Sequence, residues 1–196
     1  MPSTRLSTAI ERWLRAFACG FFLLLGAVQG LRAQQYALST NLADYAGGGT
    51  LNLEGSRSVS RHWTLLAGVK YNPFGYGAGG EAHFRKQRLL AAGARYWPWH
   101  VYSGWWLLGR LQLQEFHDAG LEERTSREGD RFGASLGAGY ARMLTPHWNL
   151  DLGAGFWAGH ERYVAYACLR CGQRTDAGGR IFFLPADIIL SVSYIF

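Results

Sequence analysis

Three histidines lie beside serine and acidic residues at predicted loop ends, and these residue types could support hydrolysis. The set consists of His83, His117 and His160 with Glu115, Asp118, Ser126 and Glu161. Nucleophilic catalysis needs a serine–histidine hydrogen bond and a carboxylate that orients the histidine. The sequence supplies the residue types without a spacing that demands a triad, and loop polarity accounts for them more simply. We therefore predict a protein that is not an enzyme and has no catalytic residues, and keep a hydrolytic site as the alternative.

Cys168 and Cys171 form a C-x-x-C pair in the last predicted loop. In an oxidising compartment such a pair closes a small disulfide, which is the assignment we favour. The alternatives are half of a zinc site, with His160 as a weak third ligand, or free or catalytic thiols. A thioredoxin-like role needs a βαβ setting that this sequence lacks. We predict neither a metal nor a cofactor.

A histidine–tryptophan pair recurs at three short predicted turns: His62-Trp63, Trp99-His100 and His147-Trp148. Tryptophan prefers the interface between lipid and water, and its repetition at one end of several strands is typical of an aromatic girdle. We therefore predict four interfacial anchors: Trp63, Trp97, Trp99 and Trp148. The alternative is that the three turn histidines form a metal site or a pH sensor.

The elements that position these residues are strands. From Ala186 to Phe196, every second residue is apolar, namely Ala186, Ile188, Leu190, Val192, Tyr194 and Phe196. A period of two indicates a strand with one apolar face. An edge strand of this kind would be a template for aggregation in a water-soluble protein, whereas in a closed barrel it pairs with the first strand and meets lipid.

Similar alternation gives eight predicted strands: 36–42, 50–57, 63–72, 88–97, 101–116, 132–144, 148–159 and 181–196. The predicted fold class is all-β, an eight-stranded antiparallel up-and-down transmembrane β-barrel. Short and long connections alternate, and such barrels have short periplasmic turns and long outer loops. Both termini are therefore expected on the periplasmic side.

The amino-terminal segment reads as a secretory signal peptide. Arg5, Arg12 and Arg15 precede a thirteen-residue apolar stretch, Ala16–Val28, which is too short to span a bilayer as a helix. We predict a signal peptide over residues 1–33 and a barrel domain over 34–196. Four arginines and one glutamate of the formal charge of +6 belong to the signal, so the charge does not indicate nucleic acid. The predicted location is the outer membrane of a Gram-negative envelope.

Charged residues on the faces opposite the apolar ones are predicted to point into the barrel: Glu54, Lys70, Arg95, Arg110, Asp151 and Asp187. An eight-stranded barrel has an interior that side chains just fill. Buried charges must pair, and three acids balance three bases. We predict a salt-bridge network that fills the lumen, and an ion-conducting pore is the alternative.

Several short motifs carry a family resemblance: S-T-N-L at 39–42, Y-N-P-F at 71–74, A-R-Y-W at 94–97, H-W-N-L at 147–150 and C-L-R-C-G at 168–172. With its aromatic end, the sequence resembles a family of small outer-membrane β-barrels of unknown function, often encoded near fimbrial genes, with eight-stranded barrels of the OmpA/OmpX type. Tyr194 and Phe196 also resemble the C-terminal insertion signal of outer-membrane barrels. The resemblance implies fold and location, and it implies no activity.

The predicted function is a non-enzymatic outer-membrane barrel with an envelope-structural role or loop-mediated adhesion. The charged third loop is the expected docking surface. Expected partners are outer-membrane lipid and lipopolysaccharide, the barrel-assembly machinery, and an extracellular or fimbrial protein. The first alternative is a lipid-modifying enzyme with a site at the outer rim, and the second is a soluble lipocalin-like barrel whose apolar side chains point inward.

Overall fold

The computed structural model describes residues 35–46, 48–76, 83–119, 126–167 and 173–196. These ranges contain the following elements: β1 (Tyr36–Asn41), α1 (Leu42–Ala46), β2 (Leu51–Ser58), β3 (Trp63–Asn72), β4 (Gly75–Tyr76), β5 (His83–Tyr96), β6 (Gly104–Ala119), β7 (Ser126–Met143), β8 (Trp148–Tyr166) and β9 (Arg174–Ile195). No described helix is long and apolar enough to cross a bilayer. The predicted signal peptide and the cysteine pair at 168 and 171 lie outside the described residues.

The strands close into a barrel. Their order is β3-β2-β1-β9-β8-β7-β6-β5-β4, and an additional β3–β5 pairing joins the two ends of this sheet. All pairings are antiparallel, and β4 contributes only two residues beside β5. The eight long strands therefore form a closed antiparallel up-and-down barrel, which confirms that part of the predicted fold class.

The β1–β9 seam is paired as far as Phe196. The amide of Tyr36 donates to the carbonyl of Phe196 at 3.1 Å, and the amide of Phe196 donates back to Tyr36 at 2.9 Å. At the other end of the seam, the Asn41 side chain bonds the backbone of both Ile188 and Leu190, at 3.0 and 2.9 Å. Where β1 ends, the Asn41 side chain therefore makes the hydrogen bonds to β9 that the backbone of a further strand residue would make.

The two ends of the barrel differ. We call the end with the short connections 59–62, 97–103 and 144–147 the turn end, and the opposite one the loop end. At the loop end the strands extend further than predicted: β7 begins at Ser126 rather than residue 132, β8 ends at Tyr166 rather than 159, and β9 begins at Arg174 rather than 181. Polar residues occupy both faces there, so the apolar alternation disappears although backbone pairing continues.

Two glycines on neighbouring strands make room for one large lumen residue. A Cβ at Gly139 or Gly153 would lie 2.3 or 2.5 Å from the ring of Trp106. Trp106 lies on β6, is fully buried, and packs over these glycines of β7 and β8. The glycine-rich pattern of these strands therefore reflects the narrow interior of an eight-stranded barrel.

Candidate functional site

Most large apolar side chains lie on the outer face of the barrel, whereas the interior combines polar and charged side chains with an apolar cluster that includes Leu66, Trp106 and Leu108. Leu136 is 72% exposed on the outer face, and Trp105, Leu152 and Phe156 are exposed in the same way. The buried side chains include several polar and charged ones: Arg95, Arg110, Gln112, Gln114, Ser135, Asn149, Asp151, Glu161, Ser191 and Ser193. In a water-soluble protein, charged residues are almost never fully buried unless paired, and large exposed apolar patches mark interaction surfaces.

Four of the predicted lumen residues form one ion-pair network, which we call the lumen network: Glu54, Arg95, Arg110 and Asp151. The Glu54 carboxylate lies 3.3 Å from a guanidinium nitrogen of Arg95 and 3.5 Å from one of Arg110. Arg95 also lies 3.7 Å from Asp151. Two acids and two bases therefore balance, which is what buried charges require.

Polar and aromatic neighbours complete the lumen network. The hydroxyl of Ser193 donates to Asp151 at 2.8 Å, and Nε of Arg110 donates to Ser135 at 3.2 Å. The guanidinium of Arg95 lies 4.4 Å from the ring centroid of Trp106, within cation–π range. A cavity of about 40 Å³ lies beside the network. It has room for about one or two water molecules, so this part of the lumen is filled by side chains.

The remaining predicted lumen charges are Lys70 and Asp187. Lys70 forms an ion pair with Asp44 of α1, with its Nζ 2.9 Å from one carboxylate oxygen and 3.0 Å from the other. Asp187 pairs through its backbone with Gly155, and its side chain lies outside the described residues. A short helix that the sequence did not predict therefore supplies the partner of Lys70.

The turn end of the lumen is closed by the connection between β5 and β6. Tyr102 adopts a positive φ of 63° and folds into the barrel, where Asn149 donates a hydrogen bond to its carbonyl. Trp97 is 1% exposed, and its indole nitrogen donates to Thr64 at 3.1 Å. The prediction of Trp97 as an interfacial anchor is therefore wrong, because this side chain packs inside the barrel.

The other predicted anchors lie on the outside at the turn end. Each of three outward tryptophans packs on a tyrosine of the adjacent strand: Trp63 on Tyr96, Trp105 on Tyr140 and Trp148 on Tyr194, with centroids 5.0 to 5.4 Å apart. Trp99 projects from its turn and is highly exposed. Tyr194 and Phe196 stack with centroids 6.2 Å apart. The result is a ring of aromatic pairs, which includes Trp105 where the sequence suggested Trp97.

Two of the turn histidines secure the neighbouring strand. The Nδ1 of His62 donates to the carbonyl of Trp97 at 2.9 Å, and that of His147 donates to the carbonyl of Ile195 at 2.9 Å. His100 instead faces the side chain of Arg61 at 3.4 Å. Within the described ranges, no three His, Cys, Asp or Glu side chains converge where a metal ion could bind.

A second ion network lies at the loop end, and the sequence did not predict it. We call it the arginine cluster: Arg127, Arg131 and Arg180 around Glu161. The side chain of Glu161 is only 1% exposed, and its oxygens lie 2.5 Å from Arg131, 3.2 Å from Arg180 and 3.5 Å from Arg127. At an effective dielectric of about 20, any two like unit charges repel by roughly 2 kcal/mol at about 8 Å and by more at shorter range. One carboxylate therefore holds together three cations that it does not neutralise.

The alternation of inward and outward residues along β8 could have indicated from the sequence that Glu161 points inward. Asp151, Trp157 and Glu161 fall on the same face, so inward alternation continues beyond the point where the predicted strand ended. Asp118 lies nearby. Burial raises the pKa of its carboxyl group above the ordinary value, and Arg85 and Arg131 partly oppose this.

The structure brings two of the predicted hydrolytic residues together. Nε2 of His117 on β6 lies 2.9 Å from Oγ of Ser126 on β7, and Ser126 is only 3% exposed. Glu128 pairs with His117 across the ladder, but its carboxylate accepts the hydroxyl of Tyr166 at 2.6 Å, which raises the pKa of that phenol.

The other predicted hydrolytic residues lie elsewhere. Glu115 forms an exposed ion pair with Arg88 at 3.9 Å, and His160 is exposed on the outer face of β8. Glu161 belongs to the arginine cluster and Asp118 lies beside it. The side chain of His83 lies outside the described residues.

A family model described as a protein of unknown function (DUF3575) matches residues 19–196. A search of the curated proteins finds no match to the chain.

Proposed function

The chain belongs to the DUF3575 family, and from this premise and the reversed polarity of the barrel we propose a non-enzymatic integral protein of the bacterial outer membrane. The observation that carries the proposal is the combination of an apolar outer face with a charged, paired lumen. An apolar outer face is stable in contact with lipid. A closed barrel also satisfies its backbone hydrogen bonds internally, as a segment within lipid must. The turn end then faces the periplasm, and Tyr194 and Phe196 are the residues we propose for recognition by the assembly machinery.

The proposed lipid-facing band has a boundary at each end. The tryptophan–tyrosine pairs mark the turn end, where aromatic girdles contact headgroups. Toward the loop end, Leu90, Leu113 and Phe132 lie side by side on β5, β6 and β7. A row of charged residues, which we call the charged row, lies two residues further along the same strands. Its members lie side by side on β5 to β8: Arg88, Glu115, Asp130 and Arg162. This change from apolar to charged supports an outer headgroup level at which lipopolysaccharide would be the partner.

The lumen supports a structural role rather than transport. The lumen network fills its own part of the interior, and Tyr102 with Asn149 closes the turn end. We expect no steady ion conductance from the purified protein in a planar lipid bilayer. A reproducible unitary conductance that is abolished by Arg95→Trp would instead favour a pore.

The strands beyond the charged row are the surface that we propose for interactions outside the membrane. Because His117 pairs with Glu128, residues 118–127 can be replaced by Asn-Gly without changing the register of β6 and β7. The test is complementation of a deletion strain, scored by resistance of its envelope to detergent. Rescue by the wild type but not by the shortened barrel would favour a loop-mediated role. Equal rescue would favour a purely structural one.

The His117–Ser126 contact favours a second candidate function, hydrolysis of lipid esters at the outer rim. Oγ of Ser126 would attack the ester carbonyl while Nε2 of His117 accepts its proton and returns it to the leaving alcohol. Water would then hydrolyse the acyl-enzyme. The test is fluorophosphonate labelling and fatty-acid release from phospholipid micelles by the wild type, Ser126→Ala and the control Ser60→Ala. Labelling and release that only Ser126→Ala abolishes would establish the enzyme, and their absence in the wild type would remove it.

A further inference from the structure

We propose that the arginine cluster at the loop end of the lumen binds a phosphate group, with Arg127 and Arg180 as its direct ligands. This inference does not depend on where the barrel resides, because it rests on the charge and geometry of one set of side chains. The bound phosphate would come from a lipid headgroup or from a soluble phosphorylated molecule, and the chemistry of recognition is the same.

The first argument is the charge balance. Three guanidinium groups lie within 3.5 Å of the carboxylate of Glu161, which supplies one negative charge. The neighbouring Asp118 and Arg85 interact with each other and add no net charge. The cluster therefore carries an excess of two positive charges, which matches a phosphate monoester at neutral pH.

The second argument is that the arginines are held in place before any ligand arrives. The guanidinium of Arg127 lies 3.9 Å from the ring centroid of Tyr163, and that of Arg131 lies 3.8 Å from Phe116. Arg180 lies 5.8 Å from the same Tyr163. Stacking together with the shared carboxylate restricts these long side chains, so less conformational freedom is lost on binding.

The third argument is the division of exposure. The side chain of Arg131 is 11% exposed, whereas those of Arg127 and Arg180 are 31% and 51% exposed. Arg131 therefore serves Glu161 within the lumen, while the other two present guanidinium edges to the loop end. A guanidinium has five donors in a planar fork that matches the oxygens of phosphate, and a single contact to Glu161 leaves donors available on each.

Two probes distinguish the source of the phosphate. The full chain is folded in non-ionic detergent micelles and titrated calorimetrically with inorganic phosphate, and separately with bisphosphorylated lipid A dispersed in the same detergent. Chloride at equal ionic strength is the control titrant. Saturable binding of either probe supports the proposal, and binding of lipid A alone identifies a lipid headgroup as the source.

Matched variants locate the site. Arg180→Gln and Arg127→Gln should each weaken binding about tenfold, which corresponds to loss of one charge-assisted contact. Arg174→Gln, an exposed change in the same strand as Arg180, should leave affinity unchanged. A gel shift between boiled and unboiled samples verifies that each variant is folded. Absence of saturable binding for both probes, or equal affinity of Arg180→Gln and Arg174→Gln, would overturn the proposal.

Discussion

The imidazole of His147 donates a hydrogen bond to the carbonyl of Ile195 at 2.9 Å. His62 makes the same bond to the carbonyl of Trp97. The two turns also share a backbone bond: the amide of Val59 donates to the carbonyl of Trp63, and that of Leu144 donates to the carbonyl of Trp148. In both, the carbonyl of the histidine also accepts the next strand's amide, from Trp97 or Ile195, at 2.8 Å. The histidine–tryptophan pairs at 62–63 and 147–148 are therefore a recurring turn motif. In this motif the histidine binds the adjacent strand and the tryptophan faces outward.

Loss of this bond should weaken the attachment of the β7–β8 turn to the end of β9. His147→Ala leaves the Ile195 carbonyl without its side-chain donor, so we expect the free energy of unfolding in urea to fall by about 1 kcal/mol. His62→Ala should behave alike, and the exposed His160→Ala is the control. A loss no larger than that of the control would show that these bonds do not stabilise the barrel.

A charge on the outer face should distinguish lipid from water. Leu136 is 72% exposed on β7, and Leu144 is 56% exposed in a turn. In water either leucine tolerates arginine, but within lipid an outward arginine costs about 2–4 kcal/mol near the midplane. We expect Leu136→Arg to destabilise the barrel in lipid vesicles by this amount and Leu144→Arg to have little effect. Equal, small effects would contradict a lipid-facing Leu136.

The space around Trp106 predicts a steric effect. A Cβ at Gly153 would meet the Trp106 ring at 2.5 Å, whereas a Cβ at Gly55 has no neighbour within 4 Å. Overpacking costs about 1–3 kcal/mol, so Gly153→Ala should lower the free energy of unfolding by that amount. Gly55→Ala should be close to neutral. Unchanged stability of Gly153→Ala would mean that Trp106 does not occupy this position.

Asp118 predicts a pH dependence at the loop end. Burial raises the pKa of its carboxyl group above 3.8 in the folded protein. The folded state therefore binds the proton of the Asp118 carboxyl group more tightly than the unfolded state does. The stabilisation from this proton is present below about pH 3.8 and is lost as pH rises through the raised pKa. Asp118→Asn remains neutral, so the unfolding temperatures of variant and wild type should differ most at pH 7. Parallel profiles between pH 4 and 8 would exclude this role.

The strands could be predicted from the sequence where apolar and polar residues alternate. The strand segments at the loop end were missed because that alternation ends there. Trp97 shares the parity of Arg95, so the inward assignment of Arg95 already required Trp97 to point inward. Glu161 likewise continues the parity of Asp151, but polar residues on both faces hid the strand. The contact between His117 and Ser126 is diagonal across two strands, and only a known register could have predicted it.

The most direct test of the central claim is fractionation of cells that express the full chain, followed by gel electrophoresis of boiled and unboiled samples. The account predicts recovery in the outer membrane and a change in mobility on boiling, because a closed barrel in lipid resists detergent until it is heated. A periplasmic protein that needs no detergent would contradict it, since the apolar face would then contact water.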